Sequence, residues 1–194
     1  MRLLSYSVFI FLSASLLHGA RAEAATRFAK EPGALPAGAV TSDWPRFLGP
    51  QDQPISPETK LLPELTEAGP AKVWEMAIWA GHASPSIVGE KLVFFHRLGG
   101  KEQIACVSAT TGKPLWQQEY PVEYTDRYGY AAGPRGSAVI AGNQVFTFGV
   151  TSILQATELA TGKVLWKHDC AEEFGVPQYF FGSGSVDRKS TRLN

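Results

Sequence analysis

The chain has too few cysteines for a disulfide framework: Cys106 and Cys170 are the only two in 194 residues. They stand far apart, in different copies of a repeat, and both read as buried thiols. An excess of one charge is also missing, with 18 basic residues set against 18 acidic ones. No basic cluster or amphipathic basic helix is legible, which excludes a nucleic-acid footprint and a membrane-surface helix. Histidine is scarce. His18, His82, His96 and His168 show no His-x-x-x-His spacing, and no Cys-x-x-Cys pair is present, so no metal site is expected. There is no Gly-x-Ser-x-Gly elbow and no Walker loop. The residues therefore assign no catalytic, cofactor-binding or metal-binding position. Hydrophobic residues make up 44% of the chain and aromatics 11%, enough to build a core and to exclude general disorder.

One long apolar run exists, at residues 3–17 behind Arg2. It is shorter than the roughly 20 residues that cross a bilayer as a helix. Small-x-small triplets follow at 20–22 and 22–24, so residues 1–24 read as a secretory signal peptide. No cysteine lies near the cleavage point to carry a lipid anchor. The remainder is expected to be periplasmic or secreted, with no membrane span. At the other end, residues 187–194 break the preceding apolar, glycine-rich text and match the translation of a common sequencing adapter. They are set apart as an artefact, and the natural chain is expected to run on past Val186. Without them the charge balance is slightly acidic.

Repetition dominates the rest. Ala109-Thr110-Thr111-Gly112-Lys113-Pro114-Leu115-Trp116 returns as Leu159-Ala160-Thr161-Gly162-Lys163-Val164-Leu165-Trp166. Upstream, Ser84, Ile87, Gly89, Leu92, Val93 and Phe95 answer to Ser137, Ile140, Gly142, Val145, Phe146 and Phe148. The first copy reads as strands 84–88, 92–97, 103–108 and 113–120, and the second as 138–141, 144–149, 153–158 and 163–169, with a shorter middle hairpin. Glycine-bearing turns separate them. Four-stranded antiparallel units of this length are the blades of a β-propeller. The fold expected is all-β, an incomplete propeller over residues 71–186. Its blades lie at about 83–120 and 137–170, and a third begins at about 179. Residues 25–70 form a leader and a proline-rich lead-in, with a helical turn possible near 58–65. Pro54, Pro57, Pro63 and Pro70 exclude longer elements there.

A third tryptophan, Trp74, sits in a lone strand at 71–76. Its partner is expected in a blade beyond this chain, because propellers often close on an N-terminal strand. Each recurring indole is expected to lie across a Thr-Gly turn of the next blade and to bury about 150–250 Å². At ~25 cal/mol/Å² that is worth about 4–6 kcal/mol as an upper bound, so in the complete protein Trp116→Ala and Trp166→Ala are each expected to cost about 3–5 kcal/mol.

The phrase Ala-x-x-Thr-Gly-x-x-Leu-Trp, headed upstream by Ser84-Pro85, resembles the repeat of the PQQ-type (quinoprotein-dehydrogenase-like) β-propeller family. Residues 43–50 (Asp-Trp-Pro-Arg-Phe-Leu-Gly-Pro) resemble the opening of exported members of that group. The family includes quinoprotein alcohol and glucose dehydrogenases and the outer-membrane-assembly propeller lipoprotein. Repeats with Trp-Asp fit less well, because Glu75, Gln117 and Lys167 follow the tryptophans here. The resemblance implies six to eight blades, of which this chain supplies two. It does not carry over the quinoproteins' adjacent-cysteine disulfide, since Cys106 and Cys170 are not neighbours. No calcium-type carboxylate cluster is legible either.

The inter-blade segment 123–135 holds Tyr124, Arg127, Tyr128, Tyr130 and Arg135. Tyrosine and arginine are favoured in binding hot spots. The commoner role for such a loop is to brace itself against the scaffold, with Arg127 or Arg135 holding local carbonyls. The function expected is a non-catalytic, exported bacterial binding or assembly scaffold that meets a protein partner on one propeller face. It would use no cofactor and no nucleic acid. The other expectation is the N-terminal part of a PQQ-dependent quinoprotein oxidoreductase, which would need PQQ and calcium.

Overall fold

The computed structural model describes residues 26–61, 67, 69–178 and 181–184. The signal-peptide and adapter segments lie outside the described residues, as do Tyr179, Phe180, Ser185 and Val186 at the expected third blade. Two short strands come first: β1 at Arg27–Phe28 and β2 at Trp74–Glu75. They pair antiparallel, Arg27 opposite Glu75 and Phe28 opposite Trp74. Within this chain the lone strand pairs with the leader, reinforced by the Ala29 amide donating to the Val73 carbonyl at 2.7 Å. Residues 58–61 are not helical, and the rest of the expected helical turn (62–65) is outside the described residues.

The first blade contains β3 (Ser86–Val88), β4 (Lys91–Leu98), β5 (Lys101–Ser108) and β6 (Pro114–Pro121). The second contains β7 (Val139–Ala141), β8 (Gln144–Phe148), β9 (Ile153–Glu158) and β10 (Val164–Asp169). Each is an antiparallel meander with its strands in sequence order. These are the four-stranded units the repeat demands, and the fold is that of an incomplete β-propeller. The two sheets meet at their first strands, where the Ser86 hydroxyl donates to the Ala138 carbonyl at 2.6 Å and the Ser84 amide donates to Ser137 Oγ at 2.8 Å.

Strand alternation divides the core between the two faces of the first blade. Val93, Phe95, Ile104 and Cys106 pack with Ala138, Ile140, Val145 and Leu159 of the second blade. Phe94, Ala105 and Val107 point the other way, toward Trp74 and Met76. A period of two places successive side chains on opposite faces, so both faces of β4 and β5 are apolar, as a blade with neighbours on each side requires. Both cysteines are free and buried. Burial pushes the Cys106 thiol up to about 11 despite the nearby Lys91, and it also raises Cys170.

The Trp strands of the two blades, β6 and β10, carry the same irregularity. Trp116 stands opposite Cys106 while Pro114 stands opposite Val107, so Leu115 is an extra residue. Trp166 opposite Ala156 and Val164 opposite Thr157 make Leu165 the equivalent. Such a bulge bends the strand and re-aims the next side chain. The indole of Trp116 thereby lies on Gly162, where a Cβ would come within 2.7 Å of its ring, and Nε1 donates to the Leu159 carbonyl at 2.9 Å. Trp74 repeats the arrangement one blade earlier, on Gly112, with Nε1 donating to the Ala109 carbonyl at 2.8 Å. Gly112 and Gly162 have φ of 68° and 76°, so each needs both the left-handed backbone and the missing side chain. Trp166 differs. Among the described residues no Thr-Gly turn lies beneath it, 38% of it is exposed, and its ring meets Phe146 and His168 instead. Among the described residues the two seated indoles are Trp74 and Trp116.

After β10 the chain turns into a short helix, α1 (Cys170–Phe174), which the strand-by-strand reading did not anticipate. Its signal was present. Asp169 caps it by accepting from the Ala171 and Glu172 amides, each at 3.1 Å, and Gly175 ends it at φ 66°.

Candidate functional site

The register fixes which loops share one end of the blades. Leu98 pairs with Lys101 and Lys101 with Pro121, so the β4–β5 turn and the β6–β7 loop leave from the same end. Lys91 pairs with Ser108, which puts the β3–β4 turn and the Thr-Gly turn at the opposite end. The segment 122–135 thus stands apart from the tryptophan seats.

Arg97, on the face of β4 turned toward the second blade, anchors that segment. Its Nη1 donates to the carbonyls of Tyr124 and Ala132, both at 2.7 Å, and Nη2 donates to Val122 at 3.2 Å. Asp126 anchors it from within. Its Oδ1 accepts the amides of Tyr128 at 2.9 Å and Tyr130 at 3.1 Å, and its Oδ2 accepts Arg135 Nη2 at 2.8 Å and the Tyr124 hydroxyl at 3.4 Å. The side chain is almost fully buried. Burial alone would raise its pKa. The two amides, then Arg135 and the Tyr124 hydroxyl, outweigh that and hold the carboxyl below its ordinary value. Arg135 also donates from Nε to the Phe181 carbonyl at 2.9 Å. On the other flank the His82 amide donates to the Pro134 carbonyl at 2.8 Å, and Gly133 sits where a Cβ would come within 2.0 Å of the Ala80 oxygen.

The residues singled out from the sequence therefore divide. Arg135 and Tyr124 brace the loop. Tyr128 and Tyr130 are left outward, 62% and 61% exposed, and with Phe181 (54% exposed) they form a cluster with ring centroids 6.0–6.5 Å apart. Arg127 is exposed beside them. Sequence reading missed the two principal braces, Arg97 and Asp126. Arg97 acts across sequence and left no local signal. Asp126 did leave one, because Asp followed by Gly129 is turn chemistry in which the carboxylate caps its own following amides.

A folded-state pKa held below the unfolded value contributes stability above the unfolded pKa (about 3.9 for Asp), and that contribution is lost as pH falls through the folded value. The order of this loop is accordingly expected to fail in acid. Protection of the Tyr128 and Tyr130 amides, relative to the intrinsic exchange rate at each pH, should fall below about pH 4, and Asp126→Asn should show the lost protection already at neutral pH. Unchanged exchange in Asp126→Asn would remove Asp126 from its anchoring role.

A cleft of about 490 Å³ opens on the inner side of Arg135, lined by Arg46, Phe47, Leu48, Asp52, His82, Ser137 and their neighbours. Residues 43–48 reach it by running along the converging strands. The Gly89 amide donates to Asp43 Oδ1 at 2.8 Å, Trp44 bridges Ile87, and the Ile140 amide donates to the Pro45 carbonyl at 2.8 Å. A second cleft of about 370 Å³ lies on the outward face of the first blade, beside Met76, Trp79, His96 and Gln103. There His96 Nδ1 accepts the Trp79 amide at 3.1 Å, and burial keeps the imidazole below its ordinary pKa against the opposing pull of Gln103. It is a neutral, partnered core histidine.

Among the described residues no three His, Cys, Asp or Glu side chains come together to hold a metal ion. No helix among the described residues is long and apolar enough to cross a membrane.

The family model described as "Outer membrane protein assembly factor BamB" matches residues 64–173. Among solved structures the chain is similar to BamB from Moraxella catarrhalis, at 19% identity and a TM-score of 0.38, covering 52% of this chain and 27% of that one. It is also similar to a europium-containing methanol dehydrogenase, at 20% identity and a TM-score of 0.38, covering 48% of this chain and 16% of that one. The chain spans only a minor part of both lengths. No curated protein matches it.

Proposed function

The chain belongs to the PQQ-like propeller-repeat family described as outer membrane protein assembly factor BamB, and on that premise we propose that it is a non-catalytic binding or assembly scaffold that meets a protein partner through its loop end. The observation that carries this reading is the Tyr128, Tyr130 and Phe181 cluster, exposed on a loop that Arg97 and Asp126 hold rigid. Large aromatics presented on a fixed backbone bind with little further loss of freedom. The outer-membrane assembly role named for the family makes a protein the natural class of partner. In this reading residues 1–24 direct export, the protein works in the periplasm or outside the cell, and residues 71–186 are two blades and the start of a third from a longer propeller. The second reading, the N-terminal part of a PQQ-dependent quinoprotein oxidoreductase, would need PQQ and calcium.

The test is site-specific crosslinking in cells. A photoreactive residue in place of Tyr130 is expected to give a discrete protein adduct in the periplasmic fraction. The same probe at Lys113, on the opposite end of the first blade, is expected to give none. Identical adducts at both positions, or dye-linked oxidation of alcohols when PQQ and calcium are supplied, would overturn the scaffold reading.

A further inference from the structure

We infer that the 490 Å³ cleft beside Arg135 receives a carboxylate side chain from an extended acidic segment of the protein partner, with an apolar neighbour of that carboxylate lying on Phe47 and Leu48. This rests on the scaffold reading and adds the chemistry of the contact.

Two guanidinium groups reach the cleft from distant parts of the chain, Arg46 from the lead-in and Arg135 from the loop. Each is pre-oriented by one carboxylate. Arg46 Nη1 holds Asp52 at 2.9 and 3.0 Å, and Arg135 Nη2 holds Asp126 at 2.8 Å. Neither fork is spent. A guanidinium has five N–H donors. Arg135 uses Nε and Nη2, and Arg46 Nε is buried with no acceptor among the described residues. His82 adds an exposed imidazole, and Asp52 is the single acid on the wall among the described residues. An arginine with free donors and a fixed plane is suited to grip a carboxylate.

The apolar half of the contact is equally specific. Phe47 and Leu48 are exposed at the mouth of the cleft, although the tryptophan beside them is folded down. Trp44 lies flat on Gly49 and donates from Nε1 to the Phe47 carbonyl at 3.3 Å. This compact turn fixes Phe47 and Leu48 outward. Arg135 links the cleft to the aromatic cluster, since the same side chain that lines it holds the Phe181 carbonyl. An extended segment crossing the loop end would meet rings first and guanidinium donors next. The other clefts lack this pairing. The one on the outward face of the first blade is lined by Glu119 and glutamines, and a third, near Thr26 and Phe28, contains Glu31 and Lys113.

The experiment uses the full chain and two fluorescent peptides, Gly-Ser-Leu-Asp-Phe-Asp-Leu-Ser-Gly and its counterpart with both Asp replaced by Asn, read by anisotropy. The acidic peptide is expected to bind at least tenfold more tightly than the amide one. Arg46→Gln and His82→Ala should bring it down toward the amide level, and Phe47→Ala should weaken both peptides severalfold. Phe47 and His82 are exposed and Arg46 is partly buried, and an unchanged melting temperature confirms in each case that the fold is kept. Succinate at millimolar concentration should not compete, because it lacks the apolar half. Equal binding of the two peptides, binding of neither, undiminished binding by Arg46→Gln, or full competition by succinate overturns the inference. So does association with phosphatidylglycerol vesicles that the acidic peptide cannot displace. If the peptides fail while the Tyr130 crosslink persists, the cleft is excluded and the scaffold reading stands. If the crosslink fails while the acidic peptide binds, the error lies in the scaffold reading.

Discussion

Trp116→Ala is expected to lower the unfolding free energy by about 3–5 kcal/mol, while Trp166→Ala costs about 1 kcal/mol. The two tryptophans occupy the same place in the repeat, so sequence alone gives them equal weight. Their surroundings differ. Trp116 lies on Gly162 of the second blade and spends its indole N–H on the Leu159 carbonyl. Trp166 has the same bulge behind it but no described turn beneath it, and more than a third of it meets solvent. Removing Trp116 therefore opens a gap between blades and strands a carbonyl, whereas removing Trp166 trims an already wet surface. Gly162→Ala should reproduce much of the Trp116 loss from the other side, since the new Cβ would fall within 2.7 Å of the ring at a residue with φ of 76°. Chemical denaturation of the three variants decides the matter. Similar costs for Trp116→Ala and Trp166→Ala would show that the indole acts within its own blade.

The second large effect is at Glu102. It is fully buried on the face of β5 that meets the second blade. Oε1 accepts the Val150 amide at 2.8 Å and Oε2 accepts the Tyr120 hydroxyl at 2.8 Å. Gly149 leaves just enough room, for a Cβ there would come within 2.1 Å of Oε2. Glu102→Ala leaves both donors without acceptors and is expected to cost about 2–4 kcal/mol. Glu102→Gln should stay within about 1 kcal/mol of the parent, because the amide oxygen serves Val150 and the amide nitrogen can donate to the Tyr120 oxygen. Burial pushes the Glu102 carboxyl above its ordinary value, against the pull of Val150, Tyr120 and Arg97. The folded protein then holds this proton at pH values where the unfolded chain has lost it. Stability from this group falls as pH rises from about 4.3 through the folded value. Glu102→Gln should abolish that fall, so its advantage over the parent grows toward neutral pH. A pH-independent difference between the two would mean that Glu102 titrates normally.

Strands were legible where two signals agreed. Glycine at the turns and alternation between them placed β4, β5, β8 and β9 within a residue or two of their observed ends. The seat of Trp116 on the Thr-Gly turn was legible too, because the motif holds both halves of the contact. The bulges at Leu115 and Leu165 were not, since the residue that doubles up is an ordinary leucine and its irregularity appears only against the partner strand. Nor was the pairing of Arg27 and Phe28 with β2. Two-residue strands have no period to read, and an Ala- and Pro-rich leader gives no cue to where it docks. At the candidate site, loop composition singled out the tyrosines and arginines of 123–135 but did not separate the bracing Tyr124 and Arg135 from the exposed Tyr128 and Tyr130. The roles of Arg97 and Glu102 were not legible, because a charge inside a strand reads as a solvent-facing position until its partners across the sheet are known.

The cross-blade attachment of the lead-in bears on biosynthesis. Trp44 can settle against Ile87 once the first blade exists, but the Pro45 carbonyl finds its donor only after Ile140 has left the ribosome. An early-made part of this ordered body is thus among the last to be fastened. Closing so long a loop is slow and entropically costly. Nascent chains halted before Ile140 should leave residues 45–50 open to protease, and chains halted well beyond it should shield them.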